Sequence, residues 1–211
     1  MKSALLIAAL IAPAANDPRL ATSARADVPV AAGSSATAID AVATAESFIA
    51  FGSSVALSGE WAFVGEPRGT PSGRVHVYRR GPTGWRAVST LAAPDAQPND
   101  GFGARVATDG TTLLITRQST AASADGGRGA VFAYRRAANG TWTSIGTWTA
   151  DTPLPRANFG GALYVQGDLA LVGAPTHERG KVFVFKRDAA GAWAPSSRLE
   201  ATDAADGDLF G

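Results

Sequence analysis

The chain of 211 residues contains no cysteine. That excludes disulfides, a thiolate metal site, a thiol nucleophile and a lipid-modified cysteine, and leaves stability to the core alone. Histidine is almost as scarce at two residues, so imidazole-dependent catalysis has few ways to be assembled. Charge is sparse and balanced: 18% of residues are charged and the formal net charge is +1. Such a balance selects no polyanionic partner and argues against nucleic-acid binding. Also missing is any sustained helical period, because β-branched and aromatic residues alternate between frequent glycines. The 45% hydrophobic content is ordinary for a globular chain with a real core.

Residues 1–26 differ in kind from the rest. Lys2 supplies a positive start, Ala4 to Ala12 an apolar run, Pro13 a breaker and Ala24-Arg25-Ala26 a small-x-small cleavage site. This pattern predicts a secretory signal peptide, and the apolar run is too short for a bilayer-spanning helix. The expected location is therefore secreted or in the cell envelope, with no stable membrane span after cleavage. Residues 27–38, rich in Ala, Ser, Val and Gly, read as a linker.

From residue 39 to 211 one phrase recurs. Phe-Gly stands at Phe51-Gly52, Phe102-Gly103, Phe159-Gly160 and Phe210-Gly211, at intervals of 51, 57 and 51 residues. A near-constant period of this length indicates a repeat unit. After Phe51-Gly52, the runs Ser53–Leu57 and Trp61–Gly65 flank Ser58-Gly59, which predicts a tight hairpin. Gly73 to Arg80 then alternates with period two, Gly81-Pro82-Thr83-Gly84 has turn chemistry, and Trp85 to Leu91 forms a fourth run. The second repeat uses Asp109-Gly110 and Gly129 to Arg136, and the third uses Gln166-Gly167 and Gly180 to Arg187. Four antiparallel strands per repeat describe a propeller blade. The expected fold is all-β: three blades at about 51–101, 102–158 and 159–209, plus the start of a fourth. Closed propellers have more blades than this, so a partial propeller is expected, with residues 36–48 as an outer strand closing the last blade.

The phrase Phe-Gly, then Val172-Gly173-Ala174-Pro175, then Gly-x-Val-x-Val-aromatic resembles the FG-GAP repeat family, the blade repeat of integrin alpha-subunit propellers and of many bacterial surface proteins. The resemblance implies a β-propeller that contacts partners through loops on one face. The Gly-Ala-Pro element becomes Gly65-Glu66-Pro67 in the first repeat and Thr116-Arg117-Gln118 in the second. The family's calcium loop would lie between the first two strands of a repeat. Here those connections are short and poor in carboxylates, so no calcium site is carried over and no cofactor is expected.

Several residues invite a functional reading beside a plainer one. Asp203, Asp206 and Asp208 could hold a metal or simply form a solvated turn between blades. His76 stands where Phe132 and Phe183 stand in the other repeats, which favours packing over catalysis. His177 lies in a loop without the nucleophile or acid of a triad. Trp85, Trp142 and Trp193 recur at one blade position, which suits structure better than a sugar platform. Arg79-Arg80, Arg135-Arg136 and Lys186-Arg187 end the third strands and should line one rim as a basic arc. Asn139-Gly140-Thr141 matches a glycosylation sequon by accident of composition.

The loops joining second and third strands share a face with the links between blades, and loops on a rigid scaffold carry binding residues. Arg68, Arg117, Asp125, His177 and Arg179 are the ligand-binding candidates on that face. The function expected is non-catalytic binding or adhesion, with an extracellular or envelope protein or glycan as partner. The alternatives are an accessory propeller of a secreted hydrolase, or a structural envelope protein.

Overall fold

The computed structural model describes residues 50–69, 72–118, 126–205 and 207–211. The signal segment, the linker and the proposed strand at 36–48 lie outside the described residues, as do Asp125 and Asp206. The first sheet contains β1 (Ser54–Ser58), β2 (Trp61–Glu66), β3 (Arg74–Gly81) and β4 (Gly84–Leu91). The second contains β5 (Phe102–Thr108), β6 (Thr112–Arg117), β7 (Ala130–Arg136) and β8 (Trp142–Trp148). In the third are β9 (Ala162–Gln166), β10 (Leu169–Ala174), β11 (Lys181–Arg187) and β12 (Trp193–Leu199). Each sheet is antiparallel and ordered as its strands follow in sequence, and the described residues include no helix. The architecture is a partial β-propeller of three blades.

Register shifts the expected hairpin turns by one residue. Ser58 pairs with Trp61 and Gln166 with Leu169, so the two-residue turns are Gly59-Glu60 and Gly167-Asp168. In the second blade Thr108 pairs with Leu113, and the Asp109 carboxylate accepts from the backbone N–H of Thr111 at 2.8 Å and Thr112 at 2.7 Å. That acceptor fixes a longer turn than the Asp-Gly dipeptide alone implied.

Side-chain alternation places one face of each blade against its neighbour. Trp61, Phe63, Val75 and Val77 of the first blade join Phe102, Leu113, Ile115, Phe132 and Trp142 of the second in one buried cluster. Leu114, Val131, Ala133 and Trp148 join Phe159, Val172, Phe183 and Phe185 in the next. Phe102 and Phe159 are buried wedges, each edge-on to the third strand of its own blade, at 5.4 Å from Phe132 and 5.2 Å from Phe183. Phe51 and Phe210, at the two ends of the stack, are half-buried.

The Phe-Gly pairs at Phe102, Phe159 and Phe210 also seat on the blade before them. The Phe102 N–H donates to Ser72 O at 3.0 Å and the Phe159 N–H to Arg128 O at 3.1 Å. A Cβ at Gly73, Gly129 or Gly180 would overlap the backbone of Phe102, Phe159 or Phe210. The glycine opening each third strand is thus required by the next blade's phenylalanine, and the fourth Phe-Gly sits on blade three as the second and third sit on theirs.

Every outer strand carries a bulge. Val88, Ile145 and Ser196 are left unpaired between register shifts opposite β3, β7 and β11. An extra residue reverses the side-chain phase beyond it. Trp142 therefore faces the first blade, edge-on to Phe63 at 5.0 Å, while Trp148 faces the third, stacked on Phe185 at 4.3 Å.

Candidate binding face

The β2–β3, β6–β7 and β10–β11 connections lie at one end of the blades with the links from β4 to β5 and from β8 to β9. Side chains tie these loops together. Arg117, at the end of β6, donates to Asp95 in the first link at 2.8 Å and lies 3.7 Å from Asp100. Gln118 Nε2 donates to Asn158 Oδ1 at 2.9 Å, and the Arg156 N–H to Gly126 O at 3.2 Å. Thr176 donates its hydroxyl to Arg156 O, and Arg179 donates to Ala204 O at 3.1 Å. The result is a face whose loops are held by their neighbours across the blade boundaries.

Within that face the candidates occupy different settings. Arg68 and Arg179 are exposed. Arg117 is largely covered, with its guanidinium 5.3 Å from the Phe132 ring centroid. Its hydrogen bond holds the Asp95 carboxyl below the usual carboxylate range, with a slight opposing push from burial. His177 is 1% exposed, packs edge-on to Phe183 at 5.6 Å, and donates from Nε2 to Thr152 O at 2.9 Å. Its imidazole thus holds the second link onto the third blade, away from solvent. Asp125 lies outside the described residues.

In the acidic cluster, Asp208 Oδ2 accepts from the Ala205 N–H at 2.7 Å. This repeats the turn in which Asp100 Oδ2 accepts from the Gln97 N–H at 2.8 Å. Asp203 is exposed, and no group of three metal-ligating side chains occurs among the described residues. Lys181, 10% exposed at its side chain, bridges Glu178 at 3.0 Å and Glu200 at 3.2 Å. Burial pulls its ammonium pKa down, but the hydrogen bonds it donates to both carboxylates outweigh that and raise it.

Two features were not apparent in the residue pattern. Glu66 replaces the alanine of Gly-Ala-Pro; its carboxylate is 5% exposed, meets His76 Nε2 and lies 3.4 Å from Arg74 Nε. His76 also packs edge-on to Phe51 at 5.3 Å, so its packing role comes with a buried ionic partner. The second feature is the use made of the basic pairs at the opposite end of the blades. Arg80 lies over Trp85, Arg187 over Trp193, and both Arg79 and Arg136 over Trp61, all within 6.0 Å of the ring centroids. Glu60 pairs with Arg79 and Asp168 with Arg187. Trp61, Trp85 and Trp193 hold four of these cations, so part of the expected basic arc is engaged with the blades' own rings, while Arg79, Arg80 and Lys186 remain exposed.

A search of curated proteins found no significant match. Among solved structures, a protein from Lactobacillus plantarum is similar at 18% identity and a TM-score of 0.51, covering 71% of this chain and 41% of that one. The periplasmic gluconolactonase of Pseudomonas aeruginosa matches at 20% identity and a TM-score of 0.44, over 70% of this chain and 39% of its own. The chain spans about two fifths of the length of these structures, and at such identity the first likeness speaks for fold alone. The family model described as the FG-GAP repeat matches residues 85–134, from the outer strand of the first blade to the third strand of the second. This chain carries the FG-GAP repeat, as the recurring Phe-Gly phrase indicated.

Proposed function

We propose that this chain is an exported, non-catalytic binding module that engages a protein or glycan outside the cytoplasm through the face bearing Arg68 and Arg179. The observation that supports this reading is the tethering of the blade loops to the links between blades, through Arg117, Gln118, Thr176, His177 and Arg179. Such ties pre-organise an irregular surface on a rigid scaffold, and a pre-organised surface binds with less ordering cost. Export is supported by the amino-terminal pattern at 1–26.

The test is capture of solubilised envelope proteins and glycans by the immobilised chain. Arg68→Glu with Arg179→Glu should reduce capture at least tenfold, whereas Arg80→Glu with Lys186→Glu at the opposite end should not. Equal losses from both pairs overturn the assignment of the face. Turnover of a lactone or glycoside by the purified chain overturns the non-catalytic part. The secreted form should begin immediately after Ala26 on amino-terminal sequencing.

A further inference from the structure

A cleft of about 500 Å³ opens between the second and third blades. That size falls within the roughly 300–1,000 Å³ of small-molecule sites. Phe183 and Phe185 form its floor; one wall is the link at Thr149 to Pro153, and the other is β12 from Pro195 to Arg198. The walls are braced from behind. His177 donates to Thr152 O at 2.9 Å and packs on Phe183, while Trp148 stacks on Phe185 at 4.3 Å. At the mouth stand the two charged lining residues, Asp151 and Arg198, paired at 3.0 Å and each about half exposed.

The mouth is not a repeat feature. At the boundary between the first two blades, strand register places Pro94 where Asp151 stands and Thr147 where Arg198 stands, with Ile145 and Gly146 in place of Ser196 and Ser197. Blade packing therefore does not require these polar groups. They are additions to one boundary, and they surround an open volume.

We propose that this cleft is a subsite for one neutral hydroxylated ring, a hexopyranose unit of a glycan. The ionised pair has no net charge, so an anionic ligand would meet Asp151 and a cationic one Arg198, and either would have to break the pair. A vicinal diol needs no such disruption: one hydroxyl donates to the carboxylate while its neighbour accepts from the guanidinium. Ser196, Ser197 and Thr149 supply further hydroxyls at the walls, and the apolar lining of Phe183, Phe185 and Pro195 meets the C–H groups of the ring. This inference rests on the binding-module reading and gives that reading a ligand class and a place.

The experiment is an amide NMR titration of the whole chain with D-glucose, D-galactose and D-mannose as probes and D-glucuronate as the charged control. At least one neutral sugar should produce saturable shifts at the Ser196 to Arg198 amides and the Trp148 indole N–H. Asp151→Ala and the cleft-filling Ser197→Trp should each weaken that binding at least tenfold with spectra otherwise dispersed as in the parent. Arg80→Glu, an exposed position at the opposite end of the blades, should leave it unchanged. No saturable shift with any neutral sugar, a response to glucuronate alone, or shifts indifferent to Ser197→Trp overturn the proposal. Macromolecular capture that persists without sugar shifts rejects the cleft and leaves the module reading standing; sugar shifts without capture do the reverse.

Discussion

Thr116 Oγ1 donates a 2.8 Å hydrogen bond to the carbonyl of Gly160, the glycine of the next blade's Phe-Gly. The same repeat position is Gly65 in the first blade and Gly173 in the third, where a Cβ would overlap the carbonyl oxygens of Gly103 and Gly211. One contact is thus solved in two ways, by removing the side chain or by giving it a donor. In the first blade the Gly103 carbonyl takes its donor from Ser54 Oγ instead, at 2.7 Å. Thr116→Val keeps the shape and strands a buried acceptor, and should cost about 1–3 kcal/mol. Gly65→Ala should cost about 1–3 kcal/mol through overpacking. Urea unfolding checks both, and a neutral Thr116→Val would show that the hydroxyl contributes nothing.

Position in the stack assigns different weights to tryptophans that the repeat makes look equivalent. Trp142 is buried against the first blade, whereas Trp85 is half-buried at the end of the stack. Trp142→Ala should therefore cost about 3–5 kcal/mol, and Trp85→Ala clearly less. Thermal unfolding of the two variants side by side decides it, and equal losses would contradict the weight given to Trp142's packing against the first blade.

Asp109 links two blades from a single side chain. Its Oδ1 accepts from Thr111 N–H, Thr112 N–H and the Thr111 hydroxyl, and its Oδ2 accepts from Gly167 N–H at 3.1 Å. Burial pushes its pKa up, but these hydrogen bonds outweigh that and hold it below the ordinary value. A depressed folded pKa contributes stability above the unfolded value of about 3.9, and that contribution is lost as pH falls through the folded value. Asp109→Asn retains one acceptor oxygen and should be less stable by about 1.5 kcal/mol near neutral pH. The gap between parent and variant should narrow as pH falls below about 4 and through the depressed folded value, as read by urea unfolding at each pH. A gap independent of pH would mean that the charge plays no part.

The strands and their grouping in fours were legible because period-two alternation and turn residues report local geometry directly. The bulges were not, since Val88, Ile145 and Ser196 share no residue type and a register slip depends on the partner strand. The loops of the candidate face were legible as loops, because connections follow from strand order. The orientation of its side chains was not. Arg117 and His177 stand out in sequence as polar residues in loops, yet one lies over Phe132 and the other packs on Phe183. Only the neighbouring blade determines that, and a single repeat read along the chain does not contain its neighbour.

That inward turn separates two kinds of arginine on the same face. Arg117 faces Asp95 and the buried Asp100 carboxylate, so Arg117→Ala strands negative charge and should destabilise the fold by about 2–3 kcal/mol. Arg117→Lys keeps the charge but not the planar fork over Phe132 and should recover part of that loss. Arg68→Glu and Arg179→Glu alter exposed positions and should change stability by about 0.5 kcal/mol or less. Ligand capture measured beside urea unfolding then sorts the effects. Lost capture with unchanged stability marks a contact, as expected for Arg68 and Arg179, whereas capture that falls only as far as stability falls marks a scaffold residue, as expected for Arg117. If Arg117→Lys restores stability fully while capture stays lost, Arg117 belongs among the contacts instead.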